Sequence, residues 1–563
     1  MSTKVPFSRC FAVCKILMGS LAILNFSACQ PTEKDSTYDS RLFEKAASNA
    51  EQAHEGFVRS DAYMRAWLEH ADPRTKLIPR NLYDDSTIWN GKDAAADNYP
   101  FMVLTSFFTD RNSYQGVMRE MLENEMELTS RVASMPDTYS FVKQDFEDEE
   151  VAMERILFGT SEYIKDGLLP LTEWLGTSPW SERMVNMLSD MDEYVDVAGG
   201  FGDEYFGSAP EAEVNGELLQ VLSRVYWMTG EQKFLDWAIQ IGDYYLLGEK
   251  YPLTGFDYLR LRDHGCELIS GLCELYVTLH FADQEKKDEY QEKLHRLLDY
   301  ILAHGRNEDG LFYNAINPQN DAVVDAQAAD TWGYTLNGYY AVYMIDSVKA
   351  YKEAVDKVFA HLGKYQNFDW ERGSADGYAD AIESALNLYN RIPDERAADW
   401  IDSEVQVMWA MQDSSHREGT EQWKGSGIIE GWHGDGNFAR TTIMHNLWKS
   451  QGTYVQPWSK EVKLGAVQQG DTLFIALSSS VPWEGKLYFD QARHSTSMNL
   501  PIDWPRINQF PEWFTVDAED TYQWIDVQAE TSEAVDGESL LEGVPLSLSA
   551  GEKKFLIVVP TTD

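Results

Sequence analysis

Five stretches of the chain open on a carboxylate and close, thirteen residues later, on an aromatic: Glu213–Tyr226, Asp263–Tyr276, Asp330–Tyr343, Asp376–Tyr389 and Asp435–Trp448. In the first four, the residue nine before the aromatic is Glu217, Glu267, Tyr334 or Asp380. Four residues are close to one helical turn, so Glu267 stacks over Asp263 and Asp380 over Asp376 on one helix face. Glu383 extends the second of these faces. Stacked carboxylates raise each other's pKa, which keeps one acid protonated beside another that is ionised. Cleavage of a glycosidic bond needs that asymmetry: a donor for the leaving oxygen, and a base or nucleophile opposite it. A lone Asp or Glu at a helix start also works as a cap and dipole partner, worth about 0.3–1 kcal/mol. The chemical signal therefore lies in the stacked acids rather than in any single one.

Three local clusters add to it. Residues 425–440 read Gly-Ser-Gly-Ile-Ile-Glu-Gly-Trp-His-Gly-Asp-Gly-Asn-Phe-Ala-Arg, five glycines interleaved with Glu430, Trp432, His433, Asp435, Asn437 and Arg440. This composition makes a poor core and a good loop, because glycine lets backbone approach a ligand closely. Arg440 suits a two-point grip on a carboxylate. The second cluster, Arg260-Leu-Arg262-Asp263-His264-Gly265, sets two guanidinium groups beside an Asp-His pair. The same residues also suit an Arg–Asp salt bridge beside a hydrogen-bonded histidine. The third, Asp330-Thr-Trp332-Gly-Tyr334, offers two aromatics as a sugar platform, although aromatics at helical spacing more often fill cores. Asp97-Asn98-Tyr99-Pro100, at the start of an early apolar helix, is a weaker fourth.

The elements that must hold these residues are helices. From about residue 41 to 455 the chain reads as helix after helix with short turns, such as Glu213–Met228, the turn 229–231, and Gln232–Leu247. The first helix of each pair is apolar nearly all round and the second carries a charged face, which places the first inside and the second outside. Repeated hairpins that bury each other's faces predict a mainly α fold, an (α/α) toroid of six or seven hairpins. In such a toroid the inner helices run parallel and their acidic starts gather at one mouth. After about residue 455, strand-length pieces such as Thr472–Ser478 and Lys553–Val559 predict a C-terminal β-sandwich over 456–563. The Trp- and Pro-rich stretch 504–513 suits a contact between sandwich and toroid.

Residues 1–29 read as a lipoprotein signal: Lys4, Arg9 and Lys15 precede an apolar run, and Ser27-Ala28 lead into Cys29 as the lipidated residue. An ordinary secretory signal is the alternative. Residues 30–40 form a polar tether. Both readings predict an exported protein, the first anchored by lipid to a bacterial membrane. Cys266 and Cys273 lie seven residues apart on one helix face, roughly 10 Å at about 1.5 Å per residue, too far for a disulfide. No His or Cys spacing marks a metal site, and no phosphate loop or cofactor motif is present. The formal charge of −45 opposes binding to nucleic acid. In so acidic a chain, a uronic-acid substrate requires an island of arginine.

The Asp330-Thr-Trp-Gly-Tyr and Asp263-His-Gly-Cys-Glu starts, the 432–440 loop and the terminal sandwich together resemble the α/α-toroid enzymes with which bacteria dismantle uronate-bearing plant or algal polysaccharides. Within that group the chain is most similar to exo-acting glucuronidases and unsaturated-uronyl hydrolases. The resemblance implies removal of a uronic acid from an oligosaccharide. Our assignment of roles gives Asp330 and Glu430 as the acid/base pair, with Asp263 and Glu383 as replacements. His264, His433, Arg262 and Arg440 hold the uronate. Trp332, Tyr334, Trp432, Asp435, Asn437, Glu267 and Asn98 shape the pocket. A polysaccharide lyase using His or Tyr with Arg is the second reading, and a non-catalytic glycan-binding lipoprotein the third.

Overall fold

The computed structural model describes residues 40–194, 210–263, 265–414 and 421–561. Cys29 and His264 lie outside the described residues, as do the leader and nearly all of the tether. The fourteen main helices alternate between two roles. The inner set is α2 Tyr99–Thr109, α4 Met153–Glu162, α6 Pro210–Thr229, α8 Cys266–Ala282, α10 Trp332–Asp346, α12 Ala375–Arg391 and α14 Gly434–Ser450. The outer set is α1 Ser40–His70, α3 Val117–Thr129, α5 Pro179–Met191, α7 Gln232–Leu246, α9 Gln284–His304, α11 Lys349–Phe359 and α13 Glu395–Asp413.

Burial separates the two sets. Every residue of α14 is buried, as is every residue of α8 from Cys266 to Leu279, whereas α9 buries only one stripe through Tyr290, Leu294, Leu297, Leu298 and Ile301. The inner helices close a ring. α6 packs on α8, α8 on α10, α10 on α12, α12 on α14 and α14 on α2, and the segments leading α2 and following α4 complete the circuit to α6. The toroid therefore has seven inner helices among the described residues. Two of them are continuous with wide π-helical turns, Gly91–Asn98 before α2 and Tyr163–Leu168 after α4. Such turns re-aim side chains that a regular helix would turn away, and they recur at functional sites.

The polar starts of the inner helices collect at one end. At the other end, the segment joining the two sheets reaches across from the C-terminal domain. Its strands are β1 Tyr454–Gln456, β2 Val462–Gln469, β3 Thr472–Ser479, β4 Trp483–Tyr488, β5 Thr521–Asp526, β6 Thr531–Asp536, β7 Val544–Leu548 and β8 Lys553–Pro560. They form two antiparallel sheets, ordered β2-β3-β8-β5-β6 and β7-β4-β1. β3 is apolar on both faces for a reason: Leu473, Ile475 and Leu477 enter the sandwich core, while Ala476 meets Ala46 and Phe474 meets Phe43 of α1.

Between β4 and β5, Trp504 and Phe510 join the toroid's own apolar core. Trp504 Nε1 donates to Glu274 (3.1 Å), Arg224 donates to the Ile507 carbonyl (3.4 Å), and Asn387 to the Arg506 carbonyl (3.1 Å). Arg224 and Asn387 sit toward the C-terminal ends of their helices and Glu274 at mid-helix, so this loop enters from the end opposite the acidic mouth. Arg506 is fully buried and donates to Glu173 at 2.6 Å. Cys266 and Cys273 are buried free thiols. No helix among the described residues is long and apolar enough to cross a membrane.

Candidate active site

A cavity of about 480 Å³ descends from the mouth into the ring. The four residues nine positions before the repeat aromatics, Glu217, Glu267, Tyr334 and Asp380, all line it. Of the five residues that open the repeats, Asp263 and Asp376 line it; Glu213, Asp330 and Asp435 do not. One turn into each helix is where a side chain meets the axis of the ring, and the opening residue is left at the rim or turned into the wall.

The 425–440 loop supplies one side. Asp435 is fully buried and accepts from the backbone N–H groups of Ile429 (3.1 Å), Glu430 (2.6 Å) and Gly431 (3.1 Å), and from Trp67 Nε1 (3.0 Å). It therefore shapes the loop and does not face the cavity. Glu430 Oε1 accepts from the Ala375 N–H (2.8 Å), clipping the loop to the start of α12. With those two as anchors, Trp432 and His433 project into the cavity. Gly436 permits the close approach behind them, since a Cβ there would lie 2.0 Å from the Asp97 carbonyl.

His433 stands between two acids, Nδ1 3.5 Å from Asp93 and Nε2 3.7 Å from Asp376. Burial opposes its charge, but Asp376 and Asp93 override that and raise its pKa well above the ordinary value. Burial likewise opposes ionisation of Asp376, while His433, Arg440 and Asn437 prevail and hold it at about 2. Asn437 Nδ2 donates to Asp376 at 2.5 Å. Asp97 goes the other way. Burial pushes its carboxyl well above the usual range against the opposing charge of His433, and Asp166, Asp376 and Asp93 add to the rise. The cavity thus sets a carboxyl driven toward its neutral form and another driven toward its charged form near one histidine.

The rim carries a second acidic group. Asp263 is pushed up to about 6 by burial and by Asp376 and Glu371, against Arg260 and Arg262. Arg260 Nη2 reaches it at 3.3 Å. Asp330, behind it, is pushed up to about 7 by burial and by Asp263, Glu371 and Asp376. Glu371 and Arg372 both adopt left-handed backbone (φ 43° and 61°) just before α12, a conformation that stores of order 1 kcal/mol or more per residue. That turn presents Glu371 to the cavity.

Arg440 forms the floor. It reaches Asp380 at 2.6 Å and Glu383 at 2.9 Å, and Tyr334 Oη donates to both acids (2.8 and 3.0 Å). Glu383 is fully buried beneath the floor and also accepts from the Asn508 N–H (2.6 Å). Asn508 itself lines the cavity, so the sandwich domain contributes to the site.

The structure thus brings Asp263, Glu267, Arg262, Tyr334, Trp432, His433, Asn437 and Arg440 to one cavity. Trp332 is fully buried in the core, and Asn98 is tied to the Tyr63 hydroxyl (3.1 Å) and the Trp432 carbonyl (3.3 Å). Asp330, Glu430, Glu383 and Asp435 stand behind the wall. Sequence reasoning missed Asp93, Glu162, Lys165 and Asp166 altogether. They sit in or beside the two π-helical turns, where a 3.6-residue period misplaces every side chain. The signal available was the Asn90-to-Asp97 run, whose Asn90 caps the turn by accepting from Asp93 and Ala94.

No family model and no curated protein sequence matches the chain. Among solved structures it is similar to a family 76 glycoside hydrolase (mannosidase) from Bacteroides thetaiotaomicron, with 14% identity and a TM-score of 0.38 over 70% of this chain and 99% of that one. A cellobiose 2-epimerase from Bacillus thermoamylovorans gives 14% and 0.36, over 52% of this chain and 86% of that one. An unsaturated glucuronyl hydrolase from a Bacillus species gives 12% and 0.35, over 53% and 88%. All three of these proteins are named for action on carbohydrates.

Proposed function

We propose that the chain is an exo-acting glycoside hydrolase that removes a terminal uronic acid from an oligosaccharide, with Asp97 as proton donor and Asp376 as its ionised partner. What carries this reading is that the two carboxyl groups line one cavity with His433 and are shifted in opposite directions, Asp97 upward and Asp376 downward. In the reaction, the Asp97 proton passes to the glycosidic oxygen as the bond to the anomeric carbon breaks. The Asp376 carboxylate either takes a proton from the entering water or attacks that carbon itself, according to the separation of the two groups around bound sugar. Arg262 and Lys92, which line the cavity with His433, supply positive charge for the sugar carboxylate, and half-buried Trp432 offers a ring face. A pocket sealed at its base admits only a chain end. Asp263, with a carboxyl near 6, is the reserve donor.

The lyase alternative needs a neutral base beside the uronate. His433 is held charged by its two acids, which disfavours it in that role. The leader adds the proposal that the enzyme works outside the cytoplasm on a lipid anchor.

The test is a panel of uronate-terminated oligosaccharides with the purified full chain. Release of the free uronic acid, lost by about 10²-fold or more in Asp97→Asn and Asp376→Asn, supports the reading. A new absorbance near the ultraviolet edge from a carbon–carbon double bond replaces it with the lyase, and saturable binding with no product replaces it with a glycan-binding protein. Full turnover in both variants removes the assigned roles.

A further inference from the structure

We infer that Glu162, Asp166 and Glu217 form a Ca²⁺ site in the wall of the cavity. One carboxylate oxygen from each lies within 4.8 Å of the other two. Twice a Ca²⁺–oxygen distance of about 2.4 Å spans such a cluster, so one ion can touch all three. The residues come from different elements. Glu162 ends α4, Asp166 lies in the π-helical turn that follows, and Glu217 is on α6.

Two independent observations point to a missing ligand. Glu162 and Glu217 are more than nine-tenths buried, and Glu162 Oε1 and Glu217 Oε2 have no hydrogen-bond partner. A buried carboxyl oxygen left without a partner costs about 1–3 kcal/mol. Lys165 lies close, but its ammonium goes to Asp166 (2.7 Å) and Glu267 (2.8 Å). Asn508 donates to Asp166 at 2.6 Å, and its own Oδ1 is buried without a partner, a further neutral oxygen beside the cluster. Lys165 thus leaves those two oxygens without a donor, and a cation among the three carboxyl groups would supply their partner. Oxygen-only ligands select a hard ion, and Ca²⁺ takes several carboxylate oxygens where Mg²⁺ keeps most of its water.

All three acids face the cavity, so the ion's open positions are turned to where a sugar would lie. There it would take hydroxyl or carboxylate oxygens of the substrate. This last role rests on the hydrolase reading; the binding of the ion does not.

The experiment uses the full chain stripped with chelator, titrated with Ca²⁺ by calorimetry and followed by thermal unfolding, without sugar. One Ca²⁺ per chain and a rise in the unfolding midpoint are expected, with affinity at least about 10-fold weaker in Glu217→Gln and in Glu162→Gln. His494→Gln, in the other acid–histidine cluster (His494, Asp503, Glu512), is expected to bind as wild type does. Absence of Ca²⁺ binding in the wild-type chain overturns the inference, even where the variants fail to fold. Wild-type affinity in both glutamine variants, or its loss in His494→Gln, overturns it also. Uronate release that is indifferent to Ca²⁺ by a chain that binds none leaves the hydrolase standing and the metal site gone.

Discussion

Replacement of Arg506 by Met tests whether the sandwich loop holds the base of the toroid. Arg506 is fully buried, donates to Glu173 (2.6 Å) and the Trp504 carbonyl (2.6 Å), and pairs with Asp503 at 3.0 Å. Glu173 is 1% exposed, so Arg506→Met leaves a carboxylate in the core with its principal partner gone. Breaking such a pair from one side costs about 3–5 kcal/mol, whereas replacing both partners with apolar groups is close to neutral. Arg506→Met should therefore unfold at markedly lower urea than wild type, and the double variant Arg506→Met/Glu173→Met should regain most of the loss. The pH dependence supplies a second reading. In the wild type, burial opposes the Glu173 charge but Arg506 prevails and holds the pKa below its ordinary value. A lowered pKa contributes stability above the unfolded value of about 4.3, lost as pH falls through the folded one. In the variant burial is opposed only by Arg224 and Arg493, the folded pKa rises above its wild-type position, and the penalty fades as the group protonates. The gap between the two proteins should narrow from pH 7 to pH 4. A deficit under about 1 kcal/mol, or a gap unchanged over that range, refutes the argument.

Gly436→Ala should destabilise by about 1–3 kcal/mol, because its Cβ meets the Asp97 carbonyl at 2.0 Å; the unfolding midpoint reports it. Arg262→Ala should raise KM for a uronate-terminated substrate about 10-fold or more, with less effect on kcat, because it removes charge that binds ground and transition states alike. The Asp263 carboxyl is raised to about 6, so its protonated form favours the folded state. That stability is present below about 3.9 and is lost as pH rises to about 6; Asp263→Asn should flatten the stability curve over that window. Cys29→Ser should move the expressed protein from the membrane fraction to the soluble one, and unchanged membrane association contradicts the lipid anchor.

The toroid was legible because inner helices such as α8 and α10 are apolar nearly all round and outer ones such as α9 on a single stripe, a contrast that survives without alignment. The pocket wall was legible too: Glu217, Glu267, Tyr334 and Asp380 share one repeat position and one cavity. What misled was local hydrogen bonding. Asp435 and Glu430 look like cavity acids in a glycine-rich run, yet Asp435 accepts from that run's own backbone N–H groups and Glu430 from the Ala375 N–H. Trp332 and Tyr334 are two residues apart, which on a helix sends one into the core and the other to the axis. Asp93, Glu162 and Asp166 were invisible because a π-helical turn shifts the period on which every face assignment depends.

Residues 503–510 make the two halves of this protein inseparable. A gene fragment ending near Thr453 would encode a complete circle of helices, yet strand Glu173 without Arg506 and strip the Arg224–Glu274 ion pair of its contacts to Ile507 and Trp504. Unlike a detachable module, the β layers therefore cannot be traded between proteins by simple fusion, and any successful truncation would have to redesign the surroundings of Glu173 first.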